Sequence, residues 1–138
     1  MFGARQSQAE IRRSEAGRSM LKVAVPLLHV SDSAAAEEFY CRQLGFRREF
    51  AHRPEGVATD PCYMGVSRDG VWLHLSSFSG DGVSGGVVNL IVEDVDPLHA
   101  ELVGKGVRID TGPVDQTWGT REMYVKDADG NSVRFIGG

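Results

Sequence analysis

His74 is the residue of this 138-residue chain whose setting most suggests chemistry. In the segment WLHLSS it shares one set of alternate positions with Trp72, while Leu73 and Leu75 take the other set. An extended chain would therefore bury the leucines and turn His74 toward an open surface. An imidazole there could pack in the core, bond to a ligand through hydrogen bonds, or coordinate a metal ion. The local pattern leaves these three uses open.

Trp118 raises a similar question, because it stands in a polar segment just before an apolar strand pattern. A tryptophan is costly to expose, and in a loop it often forms a platform on which a flat ring stacks. Gly119 leaves room beside such a platform. The alternative is that Trp118 covers the core or fills an interface between two copies of the chain.

The other groups that could react are expected to be structural. Cys41 and Cys62 form neither a metal-spaced pair nor a disulfide framework, and we expect both to be reduced thiols. His29, His52 and His99 fall on a strand, a loop and a helix surface. The chain has no specific Ser-His-Asp spacing and no Walker loop. The Gly-rich segment FSGDGVSGG lacks the strand-to-helix context of a dinucleotide fingerprint.

Composition limits the class of protein. A chain of 138 residues with 41% hydrophobic and 25% charged residues is long enough for one globular domain. The net charge of −4 argues against nucleic acid as a partner. No apolar run approaches the ~20 residues of a membrane span, and no signal-peptide pattern follows the start, so we expect a cytoplasmic protein. Residues 1–19, polar and rich in arginine, are expected to be a flexible tail, and residues 20–138 a single domain with its core starting at Met20.

Periodicity and turn residues predict a unit that occurs twice along the chain. The first unit is predicted as a strand over 23–30, a helix over 34–44, and strands over 46–52, 62–67 and 71–77. The second is predicted as a strand over 87–92, a helix capped by Asp94 and ending near 103, a strand over 107–110, a loop over 111–120, and strands over 121–126 and 132–136. Ser31-Asp32-Ser33 and Gly45 would begin and end the first helix, and Arg68-Asp69-Gly70 would form a hairpin turn. The first helix is expected to turn Ala35, Phe39 and Leu44 inward, and the core is expected to contain Phe39, Tyr40, Leu44, Phe46 and Phe135.

The predicted fold is therefore α+β, with two tandem βαβββ modules at about residues 21–78 and 86–137 whose curved mixed sheets enclose a cleft. Laying one module over the other makes Val25 equivalent to Val87 and His74 equivalent to Arg134. An inward-facing Arg134 would either form a structural ion pair with Glu122 or Glu49, or bind an anionic group of a ligand.

These motifs resemble those of the vicinal oxygen chelate superfamily, which contains glyoxalase I, extradiol dioxygenases and bleomycin resistance proteins. The resemblance rests on Val30-Ser-Asp, Glu38-Phe-Tyr40, Leu44-Gly-Phe46, Val92-Glu-Asp-Val-Asp and Asp127-Ala-Asp-Gly-Asn131, and covers about residues 21–137. The branch most similar is that of the bleomycin resistance proteins. They share the opening stretch that begins at Ala24 and a segment that here runs from Gln116 to Glu122, with Thr117 where that branch has proline.

In catalytic members of the superfamily the resemblance places metal ligands at four strand positions, here Val25, His74, Val87 and Arg134. Only His74 can donate to a metal ion, because valine has no donor and arginine carries a positive charge. A catalytic metal site needs about three protein ligands. His29 and Glu122 fall outside the expected positions. The sequence thus predicts no metal, no cofactor and, on balance, no enzymatic activity.

The resemblance also implies a groove at the interface of a homodimer, with aromatic side chains from both subunits. Together with the residues already singled out by their chemistry, the predicted ligand-binding set is Trp118, His74, Trp72, Arg134, Phe50, Tyr63, Phe78 and Glu122. The first functional hypothesis is a non-catalytic protein that sequesters a flat or cationic compound, such as a bleomycin-like antibiotic. The alternatives are a metal-dependent enzyme of the glyoxalase or dioxygenase type, and a superfamily member with another small ligand or none.

Overall fold

The computed structural model describes residues 19–138, so the predicted tail lies almost wholly outside the described residues. The first module consists of β1 (Leu27–His29), α1 (Ser33–Glu37) with a π-helical continuation (Glu38–Gln43), β2 (Arg47–His52), β3 (Tyr63–Arg68) and β4 (Val71–Ser76). The second consists of β5 (Val87–Val92), α2 (Val95–Gly104), β6 (Thr111–Asp115), β7 (Arg121–Lys126) and β8 (Ser132–Gly137). No helix in this part of the chain has the length and apolar character needed to cross a membrane.

The strands form two four-stranded mixed sheets with the same topology. Sheet A has the order β1-β4-β3-β2 and sheet B the order β5-β8-β7-β6. β1 pairs with β4, and β5 with β8, in parallel, whereas all other neighbouring strands are antiparallel. Leu27 lies opposite His74 in sheet A, and Asn89 lies opposite Arg134 in sheet B. The predicted α+β fold of two βαβββ modules is confirmed, and His74 and Arg134 occupy equivalent positions.

Local sequence signals explain where the elements begin and turn. The carboxylate of Asp32 accepts hydrogen bonds from the backbone of α1, and Asp94 caps α2 in the same way. The turn between β3 and β4 has positive φ at both Asp69 (52°) and Gly70 (79°), which is the backbone of a tight two-residue hairpin turn. These predictions are confirmed.

Three predicted details are wrong. β1 begins at Leu27, not at 23, because Pro26 has no N–H with which to extend the ladder. The strand predicted at 107–110 lies at Thr111–Asp115, inside the predicted loop, because those residues pair with β7. On α1, the buried alanine is Ala36, whereas Ala35 is exposed.

A single hydrophobic core runs through both modules. Tyr40, Leu44, Phe46 and Phe135 belong to it as predicted, whereas Phe39 is only partly buried against it. The leucines of β4 are fully buried under α1, which leaves the alternate positions of that strand for the opposite face.

A buried polar cluster, here named the Asn131 network, joins the modules. The amide of Asn131 donates to the backbone oxygen of His29 (2.8 Å) and accepts from the backbone N–H of Gly86 (2.8 Å). It also donates to Asp127 (2.9 Å), whose carboxylate accepts from the Tyr40 hydroxyl (2.8 Å). Burial and the nearby Asp127 carboxylate raise the pKa of Tyr40, so its proton stays in that bond. The Asp127–Asn131 motif therefore has a structural role, tying the end of β1 to the second module.

Candidate functional site

One surface of sheet A carries a cluster of aromatic side chains. β3 and β4 pair so that Gly65 lies opposite His74 and Tyr63 opposite Ser76, and Phe50 of β2 lies opposite Gly65. With Trp72 two residues from His74, these positions share one side of the sheet. We call this surface the A face; it comprises Phe50, Tyr63, Gly65, Trp72 and His74.

His74 is at the centre of the A face. Its ring centroid lies 5.2 Å from that of Tyr63, 5.6 Å from that of Phe50 and 6.4 Å from that of Trp72, each in an edge-to-face arrangement. Phe50 and Tyr63 are nearly parallel, with their centroids 6.2 Å apart. Trp72 and Phe50 remain 38% and 40% exposed, so flat ring surface is accessible from solvent.

Gly65 makes room for this cluster. A Cβ atom at that position would lie 2.2 Å from Cε2 of Phe50, so the ring lies directly over the glycine. A glycine in the middle of a strand often marks such a close approach. Any side chain at Gly65 would push Phe50 away from His74.

Tyr63 fixes the orientation of the His74 ring. The Tyr63 oxygen lies 2.7 Å from Nδ1 of His74. Burial, with a smaller contribution from Asp81, raises the pKa of Tyr63, so its hydroxyl keeps its proton. When that proton is donated to Nδ1, the neutral imidazole carries its own proton on Nε2 and can donate it to a ligand.

A second polar and aromatic surface lies on sheet B. Glu122 and Tyr124 share one side of β7, and Arg134 of β8 lies opposite Tyr124. The Arg134 Cζ atom is 4.6 Å from the centre of the Tyr124 ring, within the range of a cation–π contact. We call this surface the B face; it comprises Trp118, Glu122, Tyr124 and Arg134.

The Glu122 carboxylate is held by three donors. Thr120 and Tyr124 donate through their hydroxyl groups, both at 2.5 Å, and the Trp118 indole N–H donates at 3.1 Å. These bonds, led by that from Thr120, lower the pKa of Glu122 below its usual range despite its burial. Glu122 therefore remains ionised at neutral pH and positions the Trp118 ring.

Trp118 does not fill the core, since its side chain is 67% exposed. It lies in a tight turn in which the Gln116 N–H donates to the Thr120 oxygen (2.7 Å) and the Gly119 N–H donates to the Gln116 oxygen (3.0 Å). The core alternative for Trp118 is thus wrong. A ligand platform and an interface between subunits remain as its two uses.

The predicted ion pair of Arg134 is absent. Within residues 19–138 no carboxylate oxygen lies within 4.0 Å of its guanidinium, so neither Glu122 nor Glu49 is its partner. Glu49 bonds instead to Arg47 (3.0 Å) and to the Ser67 hydroxyl (2.8 Å). The prediction failed because both carboxylates have nearer donors.

The residues at the positions of the superfamily's metal ligands do not suit a metal ion. Val87 is exposed on β5, Val25 precedes β1, and neither side chain has a donor atom. Arg134 places a positive charge at a third position. In the part of the chain that the structure describes, no group of three or more His, Cys, Asp or Glu side chains could hold a metal ion.

The structure thus groups seven of the eight predicted site residues on two surfaces. Phe50, Tyr63, Trp72 and His74 are on the A face, and Trp118, Glu122 and Arg134 are on the B face. Phe78, which is half-buried after β4, makes no ring contact with either group among the described residues.

Sequence reasoning missed Tyr124, although its place two residues after Glu122 was a usable signal. It also missed a groove of about 650 Å³ between the modules, which contains none of the predicted site residues. Phe46, Leu90, Leu98 and Phe135 are among the residues that line it.

Comparison with known proteins places this geometry in context. A family model described as a glyoxalase superfamily protein matches residues 9–137. No curated protein matches the chain by sequence.

Several solved structures share the fold. A glyoxalase/bleomycin resistance protein/dioxygenase superfamily member from Sphaerobacter thermophilus is 25% identical, with 86% of this chain and 98% of that chain covered and a TM-score of 0.69. TnmS3, an antibiotic binding protein from a Streptomyces species, is 26% identical, with coverages of 86% and 98% and a TM-score of 0.66. A bleomycin-binding protein, solved in complex with bleomycin, is 25% identical, with coverages of 86% and 99% and a TM-score of 0.65.

Proposed function

The chain belongs to the glyoxalase superfamily, and from that premise we propose that it is a non-catalytic protein that sequesters a flat aromatic compound, such as a bleomycin-like antibiotic. The observation that carries this proposal is the exposure of large rings on two shaped surfaces. Trp118 is 67% exposed on the B face, and Phe50 and Trp72 are 40% and 38% exposed on the A face. Apolar surface of this kind usually marks a site for a ligand or a partner.

The similarity to TnmS3 and to the bleomycin-binding protein supports a small antibiotic-like ligand. The exposed aromatic rings of the two faces support a ligand with a flat ring system. A cationic ligand is less well supported, because Arg134 carries an unpaired positive charge on the B face and Glu122 already accepts three hydrogen bonds. The donor set described above also gives no support to metal-dependent catalysis.

We further propose that the site is completed in a homodimer. Within residues 19–138 of one chain, no hydrogen bond or ring contact joins the A face to the B face. Apolar side chains on β5 beside Arg134 are also open, with Val87 53% and Ile91 77% exposed. Packing the A face of one copy over the B face of its partner would cover these residues and form a groove lined by aromatic rings from both.

The dimer is tested by sedimentation velocity at micromolar concentrations. The wild-type chain is expected to sediment at twice the monomer mass, and Ile91→Asp is expected to shift it to the monomer because a buried unpaired charge is costly. The matched control is Val83→Asp, which should remain dimeric. Val83 is an apolar residue in the segment between the modules and is 82% exposed. A wild-type monomer under these conditions would refute the shared site.

Ligand binding is tested by fluorescence with proteins that keep one tryptophan each. The chain has two, so Trp72→Phe leaves Trp118 as the reporter of the B face, and Trp118→Phe leaves Trp72 as the reporter of the A face. Metal-free bleomycin and a neutral anthraquinone are titrated separately. We expect saturable quenching of both reporters, and Trp118→Ala should weaken binding roughly three- to tenfold through loss of ring stacking.

A flat signal from both reporters up to millimolar concentrations of both compounds would reject the proposed function. Quenching that does not saturate would show collisional contact only, with the same conclusion. Metal analysis of the purified protein would then be the next measurement.

A further inference from the structure

Arg134 has hydrogen-bonding capacity that the protein does not use. Its one hydrogen bond within the described residues runs from Nε to the Ser132 hydroxyl and is long, at 3.4 Å. Every fully buried side-chain nitrogen or oxygen in residues 19–138 has a hydrogen-bond partner. The two terminal nitrogens of Arg134 have none, so they are accessible from the B face rather than sealed in the interior.

No carboxylate oxygen among the described residues lies within 4.0 Å of the Arg134 guanidinium, although the charge of Arg134 contributes to the lowered pKa of Glu122. Glu122 is the acidic residue of the B face, but Trp118, Thr120 and Tyr124 direct their donors at its two oxygens. Glu122 therefore serves to position its neighbours and is not an ion-pair partner of Arg134. Asn89, exposed directly opposite Arg134 on β5, adds a polar amide without adding charge.

The guanidinium is nevertheless held in place. Its stacking on Tyr124, at 4.6 Å from the ring centre, restricts the plane of the fork, and the Tyr124 hydroxyl is itself fixed by Glu122. A preorganised guanidinium loses little freedom when it forms two parallel hydrogen bonds to a planar oxyanion.

We propose that Arg134 binds a carboxylate or similar planar oxyanion carried by the aromatic ligand. The inference rests on the proposed function and narrows its ligand to a flat aromatic compound that bears an oxyanion group, with the ring stacked on Trp118 and the oxyanion bound to Arg134. The path Trp118–Glu122–Tyr124–Arg134 is continuous through contacts of 3.1 Å, 2.5 Å and 4.6 Å, so both parts of the ligand fall on one surface. At equivalent positions of the two sheets, Arg134 thus supplies a positive charge in sheet B and His74 supplies an imidazole in sheet A.

The experiment compares two probes of the same shape, the naphthalene carboxylate and the corresponding carboxamide, by calorimetric titration of the full chain. The wild-type protein is expected to bind the carboxylate about tenfold more tightly than the amide, because the bond to a charged acceptor is the stronger one. In Arg134→Gln the carboxylate should lose its advantage, so that the two affinities become equal. In Arg134→Lys part of the preference should remain.

Arg121→Gln is the matched control, because it removes the same charge from the opposite side of sheet B, where Arg121 pairs with Asp96 (3.1 Å) and Asp115 (3.2 Å). It should keep the tenfold preference. Melting curves of each variant establish that it is folded before titration.

The outcomes separate this inference from the function beneath it. Equal binding of both probes by the wild-type protein would overturn the oxyanion site and leave an aromatic-binding protein. A preference that survives in Arg134→Gln would place the anion elsewhere and also overturn the proposal. Binding of neither probe would count against the proposed function and the oxyanion site together.

Discussion

The Asn131→Ala protein is expected to melt about 10–15 °C below the wild type, which corresponds to a loss of roughly 3 kcal/mol in a domain of this size. The substitution removes three side-chain hydrogen bonds of 2.8–2.9 Å in a site with no solvent exposure. It leaves the N–H of Gly86 and the carbonyl oxygen of His29, both in partly buried residues, without this partner. Scanning calorimetry and denaturant titration at neutral pH measure the loss.

Asn89→Ala is the control for the loss of an asparagine side chain. Asn89 is exposed on β5 and makes no side-chain hydrogen bond to the described chain, so we expect a change within about 0.5 kcal/mol. If Asn131→Ala melted as close to the wild type as Asn89→Ala does, the Asn131 network would not be what joins the modules.

Gly112→Ala is expected to destabilise the protein by about 3 kcal/mol or more and to detach β6 from β7. Gly112 has φ of +88°, a region that residues with a Cβ atom adopt only with strain. A Cβ atom there would also lie 2.3 Å from the backbone oxygen of Glu122 and 3.2 Å from Cα of Met123. Backbone atoms in a paired strand cannot move aside as a side chain can. Hydrogen exchange of the β6 and β7 amides, together with the free energy of unfolding, measures the effect.

Gly119→Ala separates the two causes of that effect. Gly119 also has positive φ, +99°, but nothing lies within 4 Å of the position of its Cβ atom. The Gly119→Ala protein should lose about 1–2 kcal/mol of stability, which is the cost of a positive φ for a residue with a Cβ atom. Equal losses at Gly112 and Gly119 would mean that the collision with β7 is relieved without cost, contrary to the expectation.

Elements marked by chemically specific residues were predicted well from sequence. Asp94 predicted the start of α2, because an aspartate side chain can accept hydrogen bonds from the first free backbone N–H groups of a helix. The bounds 87–92 and 121–126 agree with β5 and β7. Strands and caps of this kind depend on local patterns, so a single sequence contains the needed information.

The errors occurred where distant pairing overrides local pattern. Gly112 and Pro113 suggested a loop, yet β7 pairs with this segment around an irregularity between Thr111 and Val114. On α1 and its π-helical continuation, by contrast, the buried residues Ala36, Tyr40 and Leu44 recur every fourth position, and the predicted inner face was misplaced by one residue at Ala35 and Phe39.

The candidate site shows the same division. Strand alternation was enough to group His74 with Trp72 and to turn them away from the core. The actual partner of Arg134 was not foreseeable, because Tyr124 meets it only through the register of β7 against β8. Likewise, the saturation of Glu122 depends on a turn that brings Thr120 and Trp118 to the same carboxylate.

The Asn131 network also bears on how the chain folds. Its bond to His29 spans 102 residues, and the bond between Tyr40 and Asp127 spans 87. Contacts that close such long loops form only after most of the chain has condensed. Each module has its own sheet, but neither completes its buried polar groups without the other. We therefore expect the duplicated halves to fold as one cooperative unit, and a chain divided in the segment between them to give two fragments that each need the other in order to fold.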